Sequence, residues 1–181
     1  MGKLALRGLM LAAVIALLGM GSYAIAGGGS KNFEGSPMTG YEENPDLSTP
    51  AIGSFEARLS DDGDSLTYEL SYSDLEGTVT QAHVHFGKRA INGGISYWLC
   101  ETATNPSPSA TTPTCPAPGG TVTGEITAAE VIGPAGQGIA PTEFAEIVAA
   151  MRAGHAYANV HSSTRAGGEI RAQISNPGGE N

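Results

Sequence analysis

The feature that most constrains this chain is a two-residue alternation of apolar and polar side chains, repeated in short blocks. In 52–59, Phe55, Ala57 and Leu59 face one way, and Ser54, Glu56 and Arg58 the other. Asp61-Asp62-Gly63-Asp64 interrupts the run, after which Leu66, Tyr68, Leu70 and Tyr72 alternate with Thr67, Glu69 and Ser71. Successive side chains of a strand point to opposite faces, so each block reads as a half-buried strand, and the Asp-Gly turn joins the pair as a hairpin. The pattern continues in 79–86, 94–100, 121–127, 156–161 and 169–174. Helical spacing dominates in one place: Phe144, Ile147, Val148 and Met151 make the apolar stripe of an amphipathic helix, with Thr142 as N-cap and Gly154 as stop. A short helical turn is expected at 127–131. Many short strands with one peripheral helix predict an all-β fold, an antiparallel β-sandwich or Greek-key barrel.

The start of the chain sets the expected compartment. Lys3 and Arg7 precede an apolar core from Leu9 to Leu18, and Ala24-Ile25-Ala26 supplies a small-x-small end. That is the layout of a secretory signal peptide cut after Ala26. The core is short for a membrane span and no second long apolar run follows, with an uncleaved anchor as the alternative. The expected organisation is a signal peptide over 1–26, a flexible Gly-Ser leader over 27–31, one β domain over 32–175 and a tail over 176–181. The protein is therefore expected to be secreted or periplasmic. In such an oxidising compartment Cys100 and Cys115, the only two cysteines, are expected to pair. Their bridge ties the base of 103–119, a stretch of Pro, Ser, Thr and Ala that reads as a surface loop.

Charge narrows the partners. Removing 1–26 takes away Lys3 and Arg7 and no acid, which leaves seven basic against eighteen acidic residues and a formal charge of −11. Nucleic acid and anionic membrane surfaces need clustered cations, so neither is expected as a partner. A metal cation suits the field better, although solubility outside the cell explains the acidity as well.

All four histidines lie in two short segments. In Ala82-His83-Val84-His85-Phe86 the strand period puts His83 and His85 on one face, their Cα atoms about 6.5–7 Å apart, opposite Ala82, Val84 and Phe86. Two imidazoles so spaced can converge on one ion at about 2 Å from each nitrogen. In His155-Ala156-Tyr157-Ala158-Asn159-Val160-His161, the residues Tyr157, Asn159 and His161 point away from the small apolar face, as does His155. If the two strands are close in the sheet, His83, His85 and His161 make a three-nitrogen site. His155 is about 20 Å from His161 along a straight strand, so it serves a second site or one completed by another molecule. Outward, solvated histidines are the competing reading. Nitrogen ligation with open positions suits copper first and zinc second. In 168–174, Glu169, Arg171 and Gln173 share a face with Asn159 and His161. Glu169 then orients a ligand imidazole, with Asn159 beside it, or else pairs with Arg171.

These segments also resemble a known family. Ala82-His83-Val84-His85-Phe86-Gly87, Asn92-Gly93-Gly94, Gly124-Glu125-Ile126-Thr127-Ala128-Ala129, Ala153 through Ser162 and Gly167 through Ile174 are similar, in that order, to the CHRD domain first described in chordin. The resemblance runs from about Asn32 to Ile174, and implies an extracellular β-sandwich-like domain without an established enzymatic activity. The stretch between Cys100 and Cys115 departs from the shorter family pattern. His83-Val84-His85 and the Gly-Gly-Glu-Ile-Arg strand are also similar, locally, to copper/zinc superoxide dismutase.

The leading expectation is an extracytoplasmic metal-binding protein holding copper, as Cu(II) or Cu(I), or zinc. Its role would be sequestration, storage or delivery. Its partners would be the ion, a second copy of the chain bridged by metal, or another extracellular protein. One alternative is a non-catalytic recognition or adhesion module of the cell exterior. The other is a dismutase-like redox enzyme, against which no nucleophile–base pair, phosphate-binding Gly loop or spaced carboxylate dyad stands out.

Overall fold

The computed structural model describes residues 30–178. The expected signal peptide, residues 27–29 of the leader and residues 179–181 of the tail lie outside that range. Within it are β1 (Asn32–Thr39), β2 (Ile52–Leu59), β3 (Leu66–Ser73), β4 (Val79–Phe86), β5 (Gly94–Cys100), β6 (Gly120–Ile126), α1 (Phe144–Arg152), β7 (Ala156–Ser162) and β8 (Ile170–Gln173). All eight strands join one antiparallel sheet in the order β5-β4-β7-β8-β1-β2-β3-β6, which curls until its two ends face each other. The fold is all-β, a nearly closed barrel with a single helix.

The period-two pattern is what closes it. Phe55, Ala57 and Leu59 of β2, and Leu66, Tyr68, Leu70 and Tyr72 of β3, are buried in the core with Ala82, Val84, Tyr97, Leu99, Ala158 and Val160. A sheet with one continuous apolar face removes most of that face from water by curling around it. The β2–β3 hairpin pairs Leu59 with Leu66, and Ser60 bonds to Ser65 across the Asp-Gly turn. Strand β1 has no clean alternation in the sequence. Pro37 lacks an N–H for the ladder and the register with β2 shifts between Gly35 and Met38.

Helix α1 buries Phe144, Ile147, Val148 and Met151, the stripe its spacing predicts. Gly154 stops it with φ +67°, a conformation glycine adopts at little cost. The N-terminus differs from expectation. Glu143, not Thr142, is the N-cap and provides no side-chain cap, because Thr142 is itself in the left-handed region and its carbonyl accepts from Phe144 N. The turn expected at 127–131 is a 3₁₀ turn, Ala128–Glu130, closed by a capping box between Thr127 and Glu130.

The gap between β5 and β6 is bridged in two ways. The Tyr68 hydroxyl, from β3, donates to the Leu99 carbonyl of β5 at 2.6 Å. Cys100, the last residue of β5, is bonded to Cys115 ahead of β6, and the backbones of Glu101 and Cys115 pair beside it. In the chain-entropy picture, a cross-link over a separation of 15 residues removes unfolded-state freedom worth about 3 kcal/mol. Replacing Cys100 and Cys115 together by Ser is expected to lower unfolding free energy by about that amount in urea titration. A loss below about 1 kcal/mol would mean that the hydroxyl bond and core packing hold the ends together without it.

Candidate metal centre

Strands β4 and β7 pair so that His83 is opposite Asn159, His85 is opposite Tyr157 and Gln81 is opposite His161. Residues directly opposite share a face, so His83, His85, Tyr157, Asn159 and His161 all project to the side away from Val84 and Val160. That side is not open to solvent. Every residue of β7 is buried, and His83, His85 and His161 are 0%, 8% and 5% exposed. The solvated reading of these histidines is thereby ruled out. The structural cause is that β4, β7 and β8 carry core on one face while loops cover the other.

Those loops also orient the rings. The chain between β4 and β5 folds back so that the Gly93 carbonyl accepts from His85 Nδ1 at 3.0 Å. Only glycine fits there, since a Cβ at Gly93 would sit 1.8 Å from the Phe86 carbonyl oxygen. The loop between β7 and β8 brings the Ala166 carbonyl to His161 Nδ1 at 3.0 Å. A carbonyl only accepts, so both Nδ1 atoms carry the proton and both Nε2 atoms present lone pairs. His83 places Nδ1 3.2 Å from His161 Nε2. The Nε2 atoms of His83 and His85 are buried with no hydrogen-bond partner.

Aromatic rings wall the cluster. Trp98 of β5, opposite His83 in register, meets its ring edge-on at 4.3 Å between centroids. Tyr157 lies parallel to His85, within 3° and 4.9 Å away. Behind Tyr157, the Arg171 guanidinium carbon is 4.8 Å from the phenol ring. Arg171 in turn bonds to the Glu42 carbonyl and lies 3.6 Å from the Glu43 carboxylate. Glu43 also accepts from Asn159 Nδ2 at 2.6 Å.

Burial sets the protonation states. It pushes His83 down to about 2, with the neighbouring imidazoles adding to the effect. It takes His85 to about 4, against the pull of the Gly93 carbonyl. His161 is lowered too, again by burial and against its carbonyl partner. The same desolvation pushes the Glu43 carboxyl up to about 7 despite Arg171 and Asn159. The histidines are therefore neutral at physiological pH, the form in which imidazole binds metal without first losing a proton.

One nitrogen from each of His83, His85 and His161 lies within 4.8 Å of the others. Nitrogens at about 2 Å from one ion are at most about 4 Å apart, so the rings close on an ion by moving less than about 1 Å. The orphaned Nε2 atoms, the fixed tautomers and the purely nitrogen donor set all fit a metal of imidazole preference.

His155 is not brought to this group. It is exposed in the turn after α1 and lines a groove with Phe86, Gln137 and Glu146. Glu169 is fully buried near the start of β8, but its carboxylate accepts from Thr49, Ser162 and the Glu76 backbone. It neither touches an imidazole nor pairs with Arg171. Asn159 donates to Glu43 and the Ile170 carbonyl rather than to a ring. The orienting groups are instead backbone carbonyls, which leave no signal in residue identity. Trp98 and Glu43 are absent from the sequence-based expectation, which puts Tyr157 on the histidine face but gives it no part in the site. Trp98 is recoverable in hindsight from an His83–Trp98 pairing, but only once the β4–β5 register is known.

No helix among the described residues is long and apolar enough to cross a membrane. A family model described as CHRD domain matches residues 35–174. No curated protein sequence and no solved structure matches the chain.

Proposed function

From the premise that this chain belongs to the CHRD domain family of extracellular modules, we propose that it is an exported metal-binding protein. It holds copper through His83, His85 and His161, for sequestration, storage or delivery outside the cytoplasm. The observation that carries this reading is the convergence of three buried, neutral imidazoles, two with Nδ1 committed to a carbonyl. Isolated buried imidazoles with unpartnered nitrogens are a cost to the fold; a shared ion turns that cost into binding free energy. Imidazole donors favour copper over the other divalent first-row ions, with zinc next.

Trp98, the only tryptophan of the chain, makes the test direct. One equivalent of copper is expected to quench its emission, because the indole is 4.3 Å from the His83 ring. Free copper at about a hundred times the dissociation constant adds about 2.7 kcal/mol to stability, which raises the melting temperature by roughly 5–10 °C. The triple variant His83→Ala, His85→Ala, His161→Ala should lose both responses. Full quenching and stabilisation in that variant would end the proposal.

A second reading draws on the loop between Cys100 and Cys115. Its hydroxyls bond among themselves, Ser109 to Thr111 and Thr112 to Ser107, and Glu101 accepts from Ser107 N. Such a preorganised polar loop suits recognition of another extracellular protein. Binding that survives metal removal and is lost on trimming 103–114 would favour it.

A further inference from the structure

We infer that the triad is built for the monovalent ion, Cu(I), in preference to Cu(II) or Zn(II). The inference rests on the metal-binding reading above and adds the charge and coordination number of the ion.

The donor set is the starting point. Among the described residues the group that can meet at one point is His83, His85 and His161, with no carboxylate and no thiolate. Three neutral nitrogens bring no negative charge to offset the ion. The nearest buried acids are engaged elsewhere: Glu43 with Arg171 and Asn159, Glu169 with Thr49, Ser162 and Glu76. Behind the rings the Arg171 guanidinium stacks on Tyr157, which stacks on His85, and its charge is already matched by Glu43. The self-energy of a buried ion grows with the square of its charge, so a site of neutral donors favours one positive charge over two.

Coordination number points the same way. Zn(II) in proteins takes four ligands, and Cu(II) prefers a tetragonal set of four or more nitrogens and oxygens. A fourth ligand here would have to be water or an incoming group. His83 is fully buried, the Trp98 ring packs nearly perpendicular to it on one side, and Tyr157 covers His85. A closed, three-nitrogen pocket satisfies Cu(I), which is stable with three donors and has little need of water.

The test uses the exported chain, residues 27–181, freed of metal. Cu(I) is titrated anaerobically against a chromophoric Cu(I) chelator, and Cu(II) and Zn(II) against their own indicators. The expected result is one equivalent of Cu(I) held at least about 100-fold more tightly than either divalent ion. X-ray absorption of the loaded protein should show three nitrogen scatterers and no sulfur. His85→Gln and His161→Gln, checked for folding by circular dichroism, should each weaken Cu(I) binding by at least about tenfold. Cu(II) or Zn(II) bound as tightly as Cu(I), and lost with the same histidines, would overturn the charge preference and leave the metal site standing. Binding of every ion unchanged by the histidine substitutions would overturn the site itself, and the preference with it.

Discussion

Acidifying the metal-free protein from pH 6.5 to 4.5 is expected to remove roughly 3–5 kcal/mol of stability, a large part of what a domain of this size possesses. The cause is the buried imidazoles. In the unfolded chain they take up protons near 6.5, whereas in the fold His85 resists until about 4 and His83 until about 2. Below 6.5 the unfolded state therefore binds more protons, and each such group costs about 1.4 kcal/mol per pH unit. His161, lowered by burial as well, acts in the same direction. Glu43 opposes them. Raised from 4.5 to about 7, it holds a proton that the unfolded chain releases, so its contribution is present below 4.5 and lost as pH rises through 7. Over the shared window one carboxyl offsets one imidazole, and the remainder gives the net loss. Urea midpoints measured from pH 7.5 to 4.5 should fall steadily below about 6.5, with a shallower fall in His85→Gln. Midpoints that stay level or rise on acidification would contradict the burial of these rings.

Arg171→Met should destabilise the domain by about 3–5 kcal/mol, the range found when one partner of a buried ion pair is removed. Arg171 and Glu43 are 3% and 6% exposed, and the guanidinium also holds the Glu42 and Ile91 carbonyls and Asn92. These contacts clamp the segment after β1 and the β4–β5 loop onto the sheet. Losing them strands the Glu43 carboxyl and frees the loop that carries Gly93, the partner of His85. The loss should therefore include metal affinity as well as melting temperature. Because protonation relieves the stranded Glu43, whose carboxyl is already raised to about 7 with Arg171 beside it, the deficit should grow as pH rises above 7 and level off below it. A change under about 1 kcal/mol would show that the loops are held by something other than this network.

Sequence pattern located the core face well and the opposite face poorly, for one physical reason. Alternation reports which side chains are apolar, and Phe55, Leu70, Val84 and Val160 are, so their burial together was readable. Polar residues on the other face look the same whether water or a loop covers them. Tyr157, Asn159, His161 and Arg171 are all buried, yet nothing in their spacing says so. What covers them is distant in the chain. Glu43 sits in a Glu-Glu-Asn-Pro-Asp stretch that reads as an exposed turn, and it bonds to Asn159 over a separation of 116 residues. The convergence of His83, His85 and His161 was legible only in part: strand period fixes the face each ring takes, but the β4–β7 pairing that brings His161 beside the other two was a condition the pattern left open. The tautomers were not legible at all, since the deciding acceptors are main-chain carbonyls of Gly93 and Ala166.

The bridged gap between β5 and β6 bears on how this sheet avoids self-association. Unpaired strand rims recruit other chains and seed amyloid-like stacking. Here the two rims of the sheet face each other and are fastened there by Cys100–Cys115 and by the Tyr68 hydroxyl. Reductant that opens the bridge should therefore loosen two sticky borders and expose them to neighbouring chains.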